Sequence, residues 1–466
     1  MRTKTTNNSN LEKNARQIAV RILTRVEKDN AYANLLLRDF LSELEDARDR
    51  RLISTLVNGV LKNKLLLDYA LRRHLRKPMS ALPFELRAIL RIGAFQILFL
   101  TKIPPAAAIN EAVNLCKNIK HAGRHNYPAL VNSVLRRTAE SGWNFSWPDK
   151  NKQPWRYLAI RYSHPEWLVK RWQKRWGTEE TEQLLKTNNE PSSTIIRVNT
   201  LKTSREELIA KLEDLNLKGT VIPRLPDAIR LEVSGGLEKL SLFKEGYFTV
   251  QDESSQLVAH ILGVRPGQRV LDTCSAPGGK TTHLAQLMQN KGEIIAVDIY
   301  PQKLELVEQL ADRLGISIIM TVESDARKLE GIEGKFDRVL VDAPCSGLGV
   351  IRRRADLRWQ KREDEIEKLP ELQMEILLSA AGYVAPGGEL VYSTCTTEPE
   401  ENFELIKAFR RLRPEFKPVD MTPLLPFAVS AERDVLQLRK GVWQILPHLH
   451  GMDGFFIAKL KREIDK

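Results

Sequence analysis

Residues 269–280 read Arg-Val-Leu-Asp-Thr-Cys-Ser-Ala-Pro-Gly-Gly-Lys, and they set the fold of everything around them. Arg269–Asp272 is a short apolar run that ends on a carboxylate, the pattern of a buried strand. Gly278 and Gly279 then permit a tight turn whose backbone approaches a ligand closely and exposes N–H groups to it. A helix follows through Met288. The rhythm repeats downstream, with a strand at Glu293–Asp298, a helix at Gln302–Leu314, and strands at Ile318–Val322, Arg338–Asp342 and Glu389–Ser393. Such alternation predicts a parallel sheet with helices on both faces and ligands at its carboxyl edge. The turn lacks the Gly-x-Gly-x-x-Gly spacing of a dinucleotide site. For the glycines alone, a tight loop without a ligand is the competing reading.

Upstream of this α/β segment, short strands at Ile195–Asn199 and Ile229–Val233 flank a helix around Arg205–Leu215, which describes a small α+β module. Residues 141–177 hold six of the eight tryptophans: Trp143, Trp147, Trp155, Trp167, Trp172 and Trp176. They would either stack on unpaired bases or pack a linker against its neighbours. Residues 11–140 read as helix throughout. Leu11, Ala15, Ile18, Ala19, Ile22, Leu23 and Val26 form one buried stripe, with Asn10 as its N-cap. Similar stripes run through Leu52–Leu67, Leu86–Leu100, Ile109–Ile119 and Ala129–Leu135, and Pro104-Pro105 breaks the chain before one of them. The expected organisation is a helical bundle over 1–145, a linker and α+β module over 146–240, and an α/β domain over 241–466. A chain of 466 residues is long enough for all three.

The net charge of +13 is unevenly placed. Residues 1–150 carry 26 basic and 13 acidic side chains, while the remainder carries 46 of each. A basic module beside a neutral one fits contact with nucleic acid, and solubility is the bland alternative. The first ten residues are polar with no apolar run behind them, and the Phe95–Leu100 run is too short to span a bilayer. A cytoplasmic location without membrane attachment is therefore expected. Nor is there a spare apolar stripe, so a monomer is the default.

Four cysteines are present, at 116, 274, 345 and 395, and none lies in a Cys-x-x-Cys pair. No metal is expected from them, nor from the eight histidines, which form no ligand-like cluster in the sequence. Cys116 sits in a helical stripe and reads as core. Asp298 ends the second strand, where a carboxylate accepts ribose hydroxyls of an adenosyl group. Asp325, in Ser-Asp-Ala-Arg after the third strand, is placed to meet the adenine. Each acid alone reads equally as a solvated or capping group. The fourth strand ends in Asp342-Ala-Pro-Cys345-Ser-Gly347 and the fifth in Tyr392-Ser-Thr-Cys395-Thr. Both cysteines therefore arrive at the edge proposed for the ligand.

These segments resemble the RNA cytosine-C5 methyltransferase family, whose two signature cysteines match the Pro-Cys at 344–345 and the Thr-Cys at 394–395. The N-terminal region is similar to the RNA-binding antitermination factor NusB. With Ser163-His-Pro-Glu-Trp167, Arg197-Val-Asn-Thr-Leu201, Gln251-Asp-Glu-Ser-Ser-Gln256 and Gly451-Met-Asp-Gly-Phe-Phe456, the arrangement resembles the RsmB type, also called Fmu or Sun. Leu348 stands where that family often has Thr, and Arg354-Ala355 where it often has His-Pro. The resemblance implies an all-α NusB-like bundle, a small α+β module and a Rossmann-like class I methyltransferase domain. It implies S-adenosylmethionine as cofactor and 16S rRNA as substrate, with transfer RNA or 23S rRNA as alternatives. A non-enzymatic RNA-binding assembly or antitermination factor is the alternative of a different class. Cys395 would add covalently to C6 of an unpaired cytosine, Asp342 would serve as the acid at N3, and Cys345 would assist release. The cofactor would be held by Cys274, Ser275, Ala276, Pro277, Gly278, Gly279 and Lys280, together with Asp298, Asp325 and Asp342. Lys280 would meet the methionine carboxylate or a substrate phosphate, or face solvent.

Overall fold

The structure, a computed structural model, describes residues 14–117, 119, 126–233 and 236–464. The chain divides into two units, Met1–Glu190 with Arg353–Lys361, and Pro191–Arg352 with Arg362–Lys466. No described helix is long and apolar enough to cross a membrane.

In the first unit the apolar stripes become helices Ala15–Lys28, Ala33–Ser42, Ala47–Arg72, Phe84–Phe99, Pro105–Cys116 and Tyr127–Ser141, followed by Pro154–Tyr162 and Glu166–Thr187. Asn10 and Leu11 lie outside the described residues. The first helix is capped instead by Asn14, whose side chain accepts from the N–H groups of Arg16 and Gln17. Ile18, Ile22, Leu56, Val57, Leu86 and Leu90 are among the fully buried core. Each such side chain contributes roughly 1.5–3 kcal/mol by leaving water. Arg91 is buried within this core and is tolerated because Asp68 binds it through two bonds, 2.7 and 2.9 Å, while Glu27 takes its other edge. Cys116 is core, as expected, and burial pushes its thiol up to about 12.

Among the six clustered tryptophans, Trp172 is fully buried and Trp147 leans on Phe145 at 4.8 Å. Trp143, exposed at 44%, meets Phe99 edge-on at 5.1 Å, and Lys170 covers Trp155 at 3.9 Å. These four rings pack against neighbouring side chains. Residues 353–361 belong to this unit through Trp359, which donates to Leu61 O at 2.7 Å, and buried Arg358, which donates to Ser163 O and to Asn189. Ala355 joins the core directly, which accounts for an apolar residue at that departure from the family.

The second unit contains two sheets. Strands β1 (Thr194–Val198), β2 (Gly219–Val221), β3 (Ala228–Leu231) and β4 (Phe248–Val250) form an antiparallel sheet in the order β2-β3-β1-β4. Helix Arg205–Asp214, opened by a Ser204–Glu207 capping box, buries Leu208 and Leu212 in the cluster of this module, alongside Ile196 and Phe248.

The larger sheet is built from β5 (Arg269–Asp272), β6 (Glu293–Asp298), β7 (Ile319–Glu323), β8 (Phe336–Asp342) and β9 (Val384–Thr394), extended by β10 (Phe416–Pro418), β11 (Val442–Ile445) and β12 (Phe455–Arg462). Its order is β10-β12-β9-β8-β5-β6-β7, with β11 on β12. The expected parallel sheet holds from β7 to β9. It is corrected beyond β9, where β12, β10 and β11 pair antiparallel, so the sheet is mixed. From β5 the chain moves outward to β6 and β7, then returns to β8 and β9 on the other side. The carboxyl ends of β5 and β8 thus flank the point where strand order reverses, which opens a crevice between them.

Candidate active site

That crevice is a cavity of about 220 Å³ lined by Asp272, Cys274, Ser275, Ala276, Pro277, Gly279, Lys280 and Asp342, together with Val250, Gln251, Asp252 and Ser255. Seven of the cofactor residues expected from the sequence therefore line one space. Gly278 does another job. Its backbone adopts φ 98°, its N–H closes the turn on Ser275 O at 2.8 Å, and an added Cβ would lie 3.1 Å from Val307 Cα. The expected free N–H at 278 is thus corrected: this glycine serves the turn and the packing of helix Pro301–Leu314.

Asp298 and Asp325 are not in the lining of this cavity. Asp298 ends β6 and accepts from Tyr300 N–H at 3.1 Å. Asp325 follows the neighbouring strand and is held by Arg327 Nε at 3.0 and 2.9 Å. Those bonds keep its carboxyl below the usual carboxylate range.

Cys345 and Cys395 meet at the same edge, Sγ to Sγ 3.2 Å. Gly349 N–H, 3.0 Å from Cys395 O, joins the two loops, and a Cβ there would strike Gly454 O at 2.1 Å. The two thiols are unequal. The Cys345 thiol, bonded to Cys395, holds Cys395 below an ordinary thiol and the Lys280 ammonium adds to this, against burial and the Asp342 and Glu401 carboxylates. The same thiol contact, with burial, pushes Cys345 well up. One sulfur is thus favoured as thiolate and its neighbour as protonated thiol. Cys274 is driven up by burial first and by the Asp272 carboxylate, and is an inert wall residue.

Of the three places expected for Lys280, facing solvent is corrected. Its side chain is 13% exposed, and its Nζ lies 2.6 Å from Asp342 Oδ2, while Ser393 Oγ donates to Oδ1 at 2.7 Å. Asp342 therefore reaches the cavity with its charge compensated and its carboxylate plane fixed.

Asp272 was not expected among the site residues. Burial pushes its carboxyl up to about 7, against the hydrogen bond it accepts from Thr281. In the unfolded chain it would ionise near the ordinary value of about 3.9. Between about pH 4 and pH 7 the native state therefore keeps a proton that the unfolded state releases. The stability this group contributes is present at low pH and lost as pH rises through about 7. Asp272→Asn is expected to flatten that loss, read as a smaller fall in Tm between about pH 5 and about pH 7.5. An equal fall in both proteins would show that Asp272 is not the titrating group.

Arg197 was quoted only as part of a family motif. From β1 its buried guanidinium donates to Gly279 O at 2.7 Å, to Thr282 Oγ1 at 3.0 Å and to Gln251. It ties the α+β module to the turn that forms the cavity. Near it, Asp227, His260 and His283 bring ligand-type atoms within 4.8 Å of one another. This corrects the expectation that no histidine joins such a cluster, since the three residues come from separate segments. Burial and the Arg197 charge push His260 down to about 4 and His283 further. Arg197 also acts on Asp227.

Comparison with known proteins agrees with this architecture. The description "16S rRNA methyltransferase RsmB/F" matches residues 259–461, "NusB family" matches 13–140, and a ferredoxin-like domain of the RsmF/B-like methyltransferases matches 164–237. The Probable ribosomal RNA small subunit methyltransferase B of Bacillus subtilis (strain 168) is 40% identical over 453 residues, covering 96% of this chain and 98% of that protein. Ribosomal RNA small subunit methyltransferase B of Klebsiella pneumoniae subsp. pneumoniae is 35% identical, covering 96% and 98%. Among solved structures, NSun6 from Pyrococcus horikoshii with SFG superposes with a TM-score of 0.57 at 29% identity, over 65% of this chain and 99% of that one. PH0851 gives a TM-score of 0.80 at 30% identity, over 96% of this chain and 99% of that one. With the NusB-like bundle, the ferredoxin-like module and the mixed-sheet domain in one chain at this level of identity, the protein belongs to the RsmB family of ribosomal RNA small subunit methyltransferases.

Proposed function

We propose that this chain transfers a methyl group from S-adenosylmethionine to carbon 5 of a specific cytosine in 16S rRNA, through a covalent bond between Cys395 and C6. The observation that carries the reading is the pair of cysteine sulfurs 3.2 Å apart beside the cavity, with the lowered thiol on Cys395. The relatives' names point to small-subunit rRNA, and the NSun6 structure holds SFG, an analogue of S-adenosylmethionine. The residues present suit that cofactor. Asp252, Asp272 and Asp342 line the cavity with carboxyl oxygens that can accept hydrogen bonds from the cofactor's amino and hydroxyl groups, and Asp272 Oδ1 is buried with no hydrogen bond from a protein side chain.

When bound, S-adenosylmethionine supplies an activated methyl group. Cys395 forms the S–C6 bond, which places electron density on C5 and makes it nucleophilic. As the S–C6 bond forms, N3 gains a proton from solvent, and the Asp342 carboxylate, fixed by Lys280 and Ser393, accepts a hydrogen bond from the resulting N3–H. Cys345, once its own thiol proton has passed to solvent, takes the C5 proton; the C5–H electron pair re-forms the C5–C6 double bond as the S–C6 bond breaks and Cys395 leaves as the thiolate. Asp298 and Asp325 hold the adenosyl end from the neighbouring strand ends. The basic N-terminal bundle supplies phosphate contacts, so RNA affinity falls with salt. The protein acts as a monomer in the cytoplasm.

Labelled methyl transfer to unmodified 16S rRNA, 23S rRNA and transfer RNA in parallel, with Cys395→Ala as control, tests this. Label at one cytosine of 16S rRNA that the control loses supports it. Label on transfer RNA or 23S rRNA alone overturns the substrate, and label retained in the control overturns the nucleophile.

A further inference from the structure

Glu401 closes the turn Pro399–Glu401 and is fully buried. Its Oε2 accepts from Ser346 N–H and from Gln373 Nε2, each at 2.9 Å. Its Oε1 accepts from Ser346 Oγ at 2.6 Å and Thr396 Oγ1 at 3.1 Å. Ser346 and Thr396 are the residues that follow the two cysteines. Gln373 also donates to Pro344 O at 2.9 Å, which fixes the residue before Cys345. On the other side Asn402 accepts from Thr394 Oγ1 at 2.6 Å and donates to Thr396 O at 3.1 Å. Ser346, Thr394 and Thr396 thus bond directly to two consecutive residues, Glu401 and Asn402, and Pro344 is joined to Glu401 through Gln373.

A buried carboxylate is costly unless its lone pairs are filled, and here donors surround both oxygens. An amide of the same shape would turn its NH2 towards two of those donors. The carboxylate also stands close enough to the sulfurs to disfavour a thiolate on Cys395. A group kept there against that electrostatic cost is holding geometry. We propose that Glu401 is a positioning residue that locks the Cys345 and Cys395 loops into one rigid unit, so that addition to C6 and release from it occur at a single fixed site. This rests on the covalent reading above.

The test is Glu401→Gln in the full chain, with 16S rRNA as the substrate. kcat is expected to fall about 10²-fold, the loss that misplacement by about 1 Å produces. Cofactor affinity and the RNA KM should stay within about twofold, because neither cavity wall nor RNA surface is altered. A protein–RNA adduct should persist on a denaturing gel, because Cys345 no longer meets the adduct on time. Alkylation of Cys395 by iodoacetamide should move to lower pH, because a nearby negative charge is gone. A merely structural glutamate would lower Tm and cofactor affinity together and leave the alkylation midpoint in place. That result, or wild-type turnover, overturns the proposal. Should Glu401→Gln fail to fold, Ser346→Ala and Gln373→Met each delete one donor and keep the carboxylate, and the same persistent adduct is expected at about a tenfold loss of kcat; turnover at the wild-type rate in both overturns it equally. Cys345→Ala run alongside separates the two levels. If it traps no adduct, the covalent reading fails whatever Glu401 does. If it traps one while the Glu401 variant behaves as wild type, only the positioning role fails.

Discussion

Cys395→Ala is expected to abolish methyl transfer and to form no protein–RNA adduct, whereas Cys345→Ala should trap an adduct that survives denaturation. Both losses of turnover should be large, on the order of 10⁴-fold, as for removal of a covalent nucleophile or its partner. The asymmetry follows from the site. The sulfurs are in contact, yet only Cys395 is held below an ordinary thiol, with Cys345 as its hydrogen-bond donor and Lys280 nearby. Removing Cys345 takes away that donor, so the adduct should also form more slowly. Removing Cys395 leaves a thiol that burial and its neighbours keep protonated. Denaturing electrophoresis with labelled RNA reads the outcome directly. An adduct in Cys395→Ala and none in Cys345→Ala would exchange the two roles.

Much of this site was legible in the sequence because local chemistry decides it. β5 and β6 begin and end where the apolar runs Arg269–Asp272 and Glu293–Asp298 do, since each run stops at a carboxylate that faces the sheet edge. The Gly-rich turn and both cysteines sit at those edges for the same reason. What stayed hidden depends on contacts between distant segments. Arg197 reads as an ordinary strand arginine until Gly279 and Thr282 arrive beside it. Glu401 lies in Glu398-Pro-Glu-Glu401, which reads as a solvated acidic run, and only the two cysteine loops bury it. Helix Ala33–Ser42 lies within the stretch read as helix but shows no stripe of its own, because it buries only Ala33 and Leu36. β9 starts at Val384 rather than Glu389, because Ala385-Pro-Gly-Gly388 is taken up as a register irregularity against β8, between the Phe336–Val384 and Arg338–Glu389 pairs. β12 escaped because a strand buried along most of its length shows no alternation, and Lys459 within it is accommodated by Ile261 O and Glu389 rather than by solvent.

Lys280→Met should lower kcat about 10²-fold and move alkylation of Cys395 to higher pH, the second of the large effects. Methionine keeps the apolar stem and deletes the ammonium, which also sits 5.1 Å from the centre of the Phe455 ring. Two consequences follow from one lost charge. Asp342 is left with only Ser393 as a partner, so the carboxylate that meets N3 is no longer neutralised or held in plane. Cys395 loses a cation that favours its thiolate while the Asp342 and Glu401 carboxylates remain. A thiol with a lowered value is active above that value, so the pH–rate profile of Lys280→Met should rise at higher pH than that of the wild type. The double variant Lys280→Met, Asp342→Asn separates the contributions. Removing the facing carboxylate should return the alkylation midpoint part of the way to the wild-type position, because the two charges act on the sulfur with opposite sign. Turnover should stay low, because the group at N3 has gone. An alkylation midpoint that does not move in Lys280→Met would show that the contact with Cys345 alone sets the reactivity of Cys395, and Lys280 would then serve Asp342 only.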